Sequence, residues 1–195
     1  MQLARRRLAH CYPEGKWLFV TWHLFGSLHK AMYPPQGARN AGKAFVWMDR
    51  YLDTTRTGPM YLRQDAIAQI VAAGLQRGVQ LGHYDLRAWV IMANHVHVLL
   101  LPKISPTELL RAIKGATARE SNILLGRTGN PFWQRESYDH WVRNEREFER
   151  IVRYIEGNPI VGGFVHTPLE YRWSSASAGK SAGAARTSAC ATTPA

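Results

Sequence analysis

His95-Val96-His97 opens the apolar run that ends at Leu101. On a strand, alternate side chains share a face, so both imidazoles point the same way and Val96 points opposite, into a core. Two imidazoles side by side can hold one divalent cation and leave other coordination positions open. They would serve equally as half-buried strand residues bonded to backbone. A second pair lies further on. Tyr154 and Asn158 are four residues apart in a helical pattern whose apolar face is Phe148, Ile151, Val152 and Ile155. They are thus about 40° apart around the axis and one turn apart along it, flanking that face. A phenol with a pKa near 10 attacks at neutral pH only with a nearby base or a metal-polarised phosphate. Asn158 could give a carbonyl oxygen to the same metal. Tyr138, alternating with His140 in Glu136–His140, is a second possible nucleophile. Tyr154 is preferred because a ligand stands one turn away. Gly157 and Pro159 raise the possibility that the helix stops before Asn158.

The elements that must position these groups follow from patterning. Trp17–Phe25, aromatic and β-branched, reads as a first strand. Ala41–Asp53 reads as a helix. Leu62–Gln76 places Ile67, Ile70, Val71 and Leu75 on one helical face, with Gly78 as its stop. Tyr84–Ile91 and Val96–Leu101 read as adjacent strands with Asn94 at the turn. Ser105-Pro106-Thr107-Glu108 predicts a capping box and a helix to Leu125. Ser137–Val142 reads as a short strand, and Asn144–Gly157 as a helix capped by Asn144 with Glu147 reaching back. Eighteen of the 22 residues from Ser174 are Ala, Ser, Thr or Gly. Such a stretch cannot bury enough to offset its ordering entropy, so disorder is expected there. Strands interleaved with helices, plus one adjacent strand pair, imply an α+β sandwich on an antiparallel sheet.

Composition narrows the partners. The 195 residues suffice for one domain and a tail, and the formal net charge of +11 suggests nucleic acid. Residues 1–60 hold nine Lys/Arg against three Asp/Glu, whereas residues 105–154 hold nine against seven. Arg5, Arg6 and Arg7 in the first region, and Arg111, Lys114, Arg119 and Arg135 in the second, are candidate phosphate contacts. Phe132 and Trp133 could stack on unpaired bases, though core anchoring explains them as well. Cys11 and Cys190 make no disulfide framework or cysteine metal site. No signal peptide or membrane-length apolar run is visible, so a cytoplasmic protein is expected, associated with the nucleoid when bound to DNA.

The segments MANHVHVLL (92–100), FWQRESYDHWVRNEREFERIVRYIEGNP (132–159) and YRWSSA (171–176), in this order, resemble the REP-associated tyrosine transposases. These belong to the IS200-like single-tyrosine HUH transposases. WLFVTWHLFGSL (17–28) fits as the first strand, and the match runs over about residues 5–176. The resemblance implies one domain over 1–176, and composition leaves residues 177–195 as an expected disordered tail. It implies a ferredoxin-like or RRM-like antiparallel sheet with helices packed on its faces and the histidines on a central strand. It implies Mg²⁺ or Mn²⁺ held by His95, His97 and Asn158, and Tyr154 as the nucleophile that forms a 5′-phosphotyrosine on single-stranded DNA. The expected substrates are hairpins formed by palindromic repeats, cut and rejoined by a monomer or a homodimer. Two departures stand out. Ala93 occupies the family's usual proline before Asn-His-x-His, which relaxes the turn and keeps the ligands. Asn158 stands where related enzymes often carry glutamine, one methylene longer. Two other readings share these residues: a hairpin binder that no longer cuts, and a metal-dependent hydrolase that uses water.

Overall fold

The computed structural model describes residues 15–28 and 41–178, with only the backbone of 41–44. The elements run β1 (Leu18–His23), α1 (Ala41–Thr54), α2 (Asp65–Gln80), β2 (Tyr84–Ile91), β3 (His95–Pro102), α3 (Pro106–Leu124), β4 (Tyr138–Trp141) and α4 (Glu145–Val161). The four strands form one sheet in the order β2-β3-β1-β4, each pair antiparallel. The first and third strands are therefore central. That is the ferredoxin-like arrangement expected from the sequence, in an α+β architecture. Among the described residues, no helix is long and apolar enough to cross a membrane.

Strand alternation sorts the side chains onto two faces. Val20, Trp22, Val96, Val98 and Leu100 pack with Ile67, Val71 and Leu75 of α2 and with Leu109 and Ile113 of α3. Phe19, Ala88, Val90 and Leu99 pack on the other face with Phe45 of α1 and with Ile151, Val152 and Ile155 of α4. The period-2 rule puts Thr21, His95 and His97 on the second face, beneath α1 and α4. Phe132 and Trp133 are buried in the first layer, and Trp133 Nε1 donates to Thr117 Oγ1 at 2.9 Å. They are core anchors, not stacking platforms.

Several local features differ from the sequence reading. Gly78 does not stop α2; it lies inside it, where a Cβ would collide with the Tyr84 ring. Glycine at this position lets helix and strand approach, and the Tyr84 hydroxyl donates to Leu75 O at 2.6 Å. Ser105 precedes α3 with proline at its start but makes no side-chain cap. Asn144 caps α4 as expected, accepting from Glu147 N, whereas the Glu147 carboxylate accepts from Arg143 N at 2.9 Å. Residues 174–178, assigned to the disordered stretch by composition, are folded. Ser174 is fully buried and bridges to Val90, and Ser175 Oγ accepts from Trp89 N at 3.1 Å while donating to Glu156. Small hydroxyl residues satisfy exposed backbone here through hydrogen bonds rather than apolar burial. The remainder of the expected tail lies outside the described residues.

Candidate metal centre and nucleophile

β3 delivers His95 and His97 side by side, fully buried, with their Nε2 atoms 3.0 Å apart. The other ring nitrogens fix their roles. Asn94 is oriented by its amide nitrogen, which donates to Leu52 O at 3.1 Å, so its Oδ1 faces His95. Nδ1–H of His95 donates to that oxygen at 2.7 Å, leaving a bare lone pair on Nε2. His97 Nδ1 lies 2.7 Å from the hydroxyl of Thr21, its cross-strand partner on β1. Donation from Nδ1 to that hydroxyl bares the second Nε2 lone pair as well. Two lone pairs at this distance repel unless a cation or proton lies between them.

α1 brings acid to the same point. Asp49 Oδ1 lies 3.4 Å from His97 Nε2, and Asp53 Oδ1 lies 3.3 Å from His95 Nε2. Neither Asp49 oxygen and not Oδ1 of Asp53 receives a hydrogen bond, although all are buried. The ligand atoms of Asp49, His95 and His97 all lie within 4.8 Å of one another. Burial, then the neighbouring Asp53, pushes the Asp49 carboxyl well above its ordinary range. Burial, then His95, pushes His97 down, so it is neutral and able to ligate. Two imidazoles and a carboxylate that converge without proton donors fit a divalent cation.

α4 supplies the remaining groups. The Tyr154 ring sits edge-on to His97, 5.6 Å between centroids, and edge-on to Phe19 at 6.0 Å. It is 37% exposed, so a substrate can reach it. Pro159 does not end the helix. α4 continues through it to Val161, and Gly162 N–H donates to Asn158 O. The proline merely lacks the amide that would bond to Ile155 O. Asn158 therefore keeps its place one turn past Tyr154. Its side chain is 1% exposed, and neither its amide nitrogen nor its oxygen has a hydrogen-bond partner. A buried carboxamide left so is unusual without a further ligand. Tyr138 differs. Its ring stacks on Phe45 at 3.9 Å, and burial, with Asp139 next, pushes its hydroxyl up to about 12.

The structure thus brings together His95, His97 and Tyr154, with Asn158 on the same helix as Tyr154. Arg111, Lys114 and Arg135 line one groove elsewhere, beside α3. Arg119 is exposed on α3 outside that lining. Arg5, Arg6 and Arg7 lie outside the described residues. Sequence reasoning missed Asp49 and Asp53. A signal existed: four residues apart on a helix whose inner face is Phe45 and Leu52, they supply two of the three acids in the first 60 residues.

A family model for IS200-like transposases matches residues 44–158, from α1 to Asn158. The chain belongs to the IS200-like transposase family. A solved REP-associated tyrosine transposase bound to a REP hairpin has the same fold, with a TM-score of 0.60 and 18% identity over 94% of this chain and 87% of that one. A Deinococcus radiodurans R1 protein assigned as a transposase gives a TM-score of 0.42 and 17% identity over 77% of this chain and 96% of that one. No curated protein matches significantly.

In this transposase His23 ends β1 directly opposite His95. Its Nδ1–H donates to Leu24 O at 3.0 Å and lies 2.9 Å from Ser27 Oγ. Burial pushes its pKa down to about 4 despite the Leu24 carbonyl, with smaller contributions from His95 and Lys114. The unfolded chain titrates near 6.5, so it takes up the proton first on acidification. Stability is expected to fall as pH drops from about 6.5 to about 4, by about 3 kcal/mol for the full shift. His97 adds to the same slope. Urea unfolding across this range should show the decline, and His23→Asn should flatten part of it. An unchanged slope in the variant would contradict the assignment.

Proposed function

We propose that this transposase cuts and rejoins single-stranded DNA at hairpin-forming repeats, with Tyr154 as nucleophile. The observation that carries the reading is the placement of Tyr154 against His97, beside an acid–imidazole cluster that lacks proton donors. The tyrosine oxygen attacks the scissile phosphorus as the bond to the 3′ oxygen breaks. The products are a 5′-phosphotyrosine and a free 3′-OH. The reverse attack, by a 3′-OH on the phosphotyrosine, joins strands with no nucleotide cofactor, since the phosphodiester energy is kept. Mg²⁺ or Mn²⁺ held by Asp49, His95, His97 and Asn158 would polarise the phosphate and offset its developing charge. Thr21 and Asn94 hold the two imidazoles with their Nε2 atoms inward, and Asp53 sits against His95. The Phe19 ring on β1 packs edge-on against the tyrosine ring.

The placement of Tyr154 against His97 of the same chain supports cleavage in cis by a monomer. Hairpin substrates are supported by the shared fold with a protein whose structure holds a REP hairpin, and by the motifs at 92–100 and 132–159. The test is incubation with labelled palindromic repeats and Mn²⁺. Single-stranded hairpins should be cut and the same sequence as perfect duplex left intact, with binding that weakens steeply as salt rises. Equal cutting of duplex would replace this reading with an ordinary nuclease.

A further inference from the structure

The YRWSSA stretch at 171–176 has no part in the cleavage chemistry, yet it is firmly held. β2 ends the sheet, so its outer backbone groups need partners. The stretch supplies them. Ile91 N donates to Trp173 O at 2.9 Å, the Tyr171 hydroxyl donates to Ile91 O at 2.9 Å, and Ser174 bridges to Val90. Trp89 N donates to Ser175 Oγ at 3.1 Å. On its other side Trp173 Nε1 donates to Asp65 Oδ1, at the start of α2, at 3.1 Å. The segment is thus anchored to β2 and α2 without help from α4.

From this anchor one bond reaches α4. The Ser175 hydroxyl donates to Glu156 Oε1 at 3.1 Å. Glu156 stands two residues from both Tyr154 and Asn158. At 100° per residue it lies roughly 160° from each of them around the axis. Ile151, Val152 and Ile155 form the buried face between the two flanks. Burial of that face presses α4 against the sheet but has no preferred direction. A hydrogen bond does. On the flank opposite Tyr154, it is placed to stop the helix rolling about its axis. At a side-chain radius of roughly 6 Å, a roll of about 10° moves a group by about 1 Å. Misplacement on that scale can slow a reaction by up to about a hundredfold.

We propose that Ser175, acting through Glu156, is a positioning residue that fixes the roll of α4 and so aims Tyr154 and Asn158 at the metal centre. The inference rests on the preceding reading in taking those two residues as nucleophile and ligand. It gives the YRWSSA segment a role in the reaction although it touches neither DNA nor metal.

The test uses the full chain with Ser175→Ala, Glu156→Ala and both together, beside Ser175→Thr and Glu156→Gln, which keep the donor and the acceptor. Adduct formation at saturating hairpin should slow roughly tenfold in each alanine variant, with hairpin affinity unchanged. Calorimetry without DNA should show Mn²⁺ binding weakened about threefold, as Asn158 swings off the site. The double variant should be no slower than either single one, because both act through one bond. Threonine and glutamine should restore the rate. Glu156→Ala leaves the Trp89–Ser175 bond intact and so guards against a folding defect in Ser175→Ala. Melting in EDTA checks this directly. Unchanged rates in both alanine variants, or losses that neither conservative variant restores, overturn the proposal. If the wild type itself forms no adduct, the cleavage reading fails and Mn²⁺ affinity decides. Weakening in both alanine variants that the conservative ones restore upholds the positioning role, and an unchanged affinity overturns it.

Discussion

Replacing Tyr154 by phenylalanine is expected to leave hairpin DNA bound but uncut. The substitution removes one oxygen and keeps the ring, so the edge-on contacts with His97 and Phe19 persist and the fold should melt as before. What is lost is the only atom that can bond to phosphorus in this mechanism. Strand cleavage should fall by about four orders of magnitude or more, with little change in hairpin affinity. Tyr138→Phe is the matched comparison. Its hydroxyl, pushed up to about 12 by burial, is a poor proton donor within the aromatic layer around Phe19 and Phe45. That variant should still cut. If Tyr138→Phe lost cleavage and Tyr154→Phe kept it, the nucleophile would have to be reassigned.

The second large effect concerns the metal. Mn²⁺ at about a hundredfold above its dissociation constant should stabilise the protein by about 3 kcal/mol, raising Tm by roughly 5–10 °C. Asp49→Asn should lose most of that rise, because a carboxamide is a weaker ligand. The same variant should melt higher than wild type in the presence of EDTA. The folded state raises the Asp49 pKa, so it holds the proton where the unfolded chain has released it. The Asp49 contribution to metal-free stability therefore declines as pH rises above about 4, against the opposite slope from His23. Asparagine, always neutral, removes that decline. Opposite shifts with and without metal mark a ligand whose charge is tolerated only for the ion. His97→Ala should abolish cleavage too. Cleavage that resists EDTA, or an Mn²⁺ shift unchanged in Asp49→Asn, would contradict the metal assignment.

The sequence showed the parts of the site that obey a short period. His95 and His97 share a face because strands alternate. Tyr154 and Asn158 share one because helices repeat near four. The order of motifs carried the family, and with it the crossing order of the strands. Asp49 and Asp53 escaped because their role depends on α1 folding back over β3, which no local spacing encodes. Gly78 was misread for a related reason: a glycine that ends a helix and one that admits a neighbouring ring look alike until Tyr84 is in place. Pro159 suggested a break, but burial of the apolar face Ile151, Val152 and Ile155 outweighs the loss of one backbone bond. Composition misjudged Ser174–Ala178 because Ser174 and Ser175 hold the chain by hydrogen bonds to β2 and α4, which hydropathy does not score.

The most direct test maps the covalent bond. The protein is incubated with a labelled single-stranded hairpin repeat and Mn²⁺, the adduct is digested, and the modified peptide is sequenced by mass spectrometry. The account predicts a nucleotide attached through its 5′-phosphate to Tyr154, absent with EDTA and formed at a rate independent of protein concentration, as cis cleavage by one chain requires. Cleavage that leaves no protein-bound nucleotide, or an adduct on Tyr138, would contradict it.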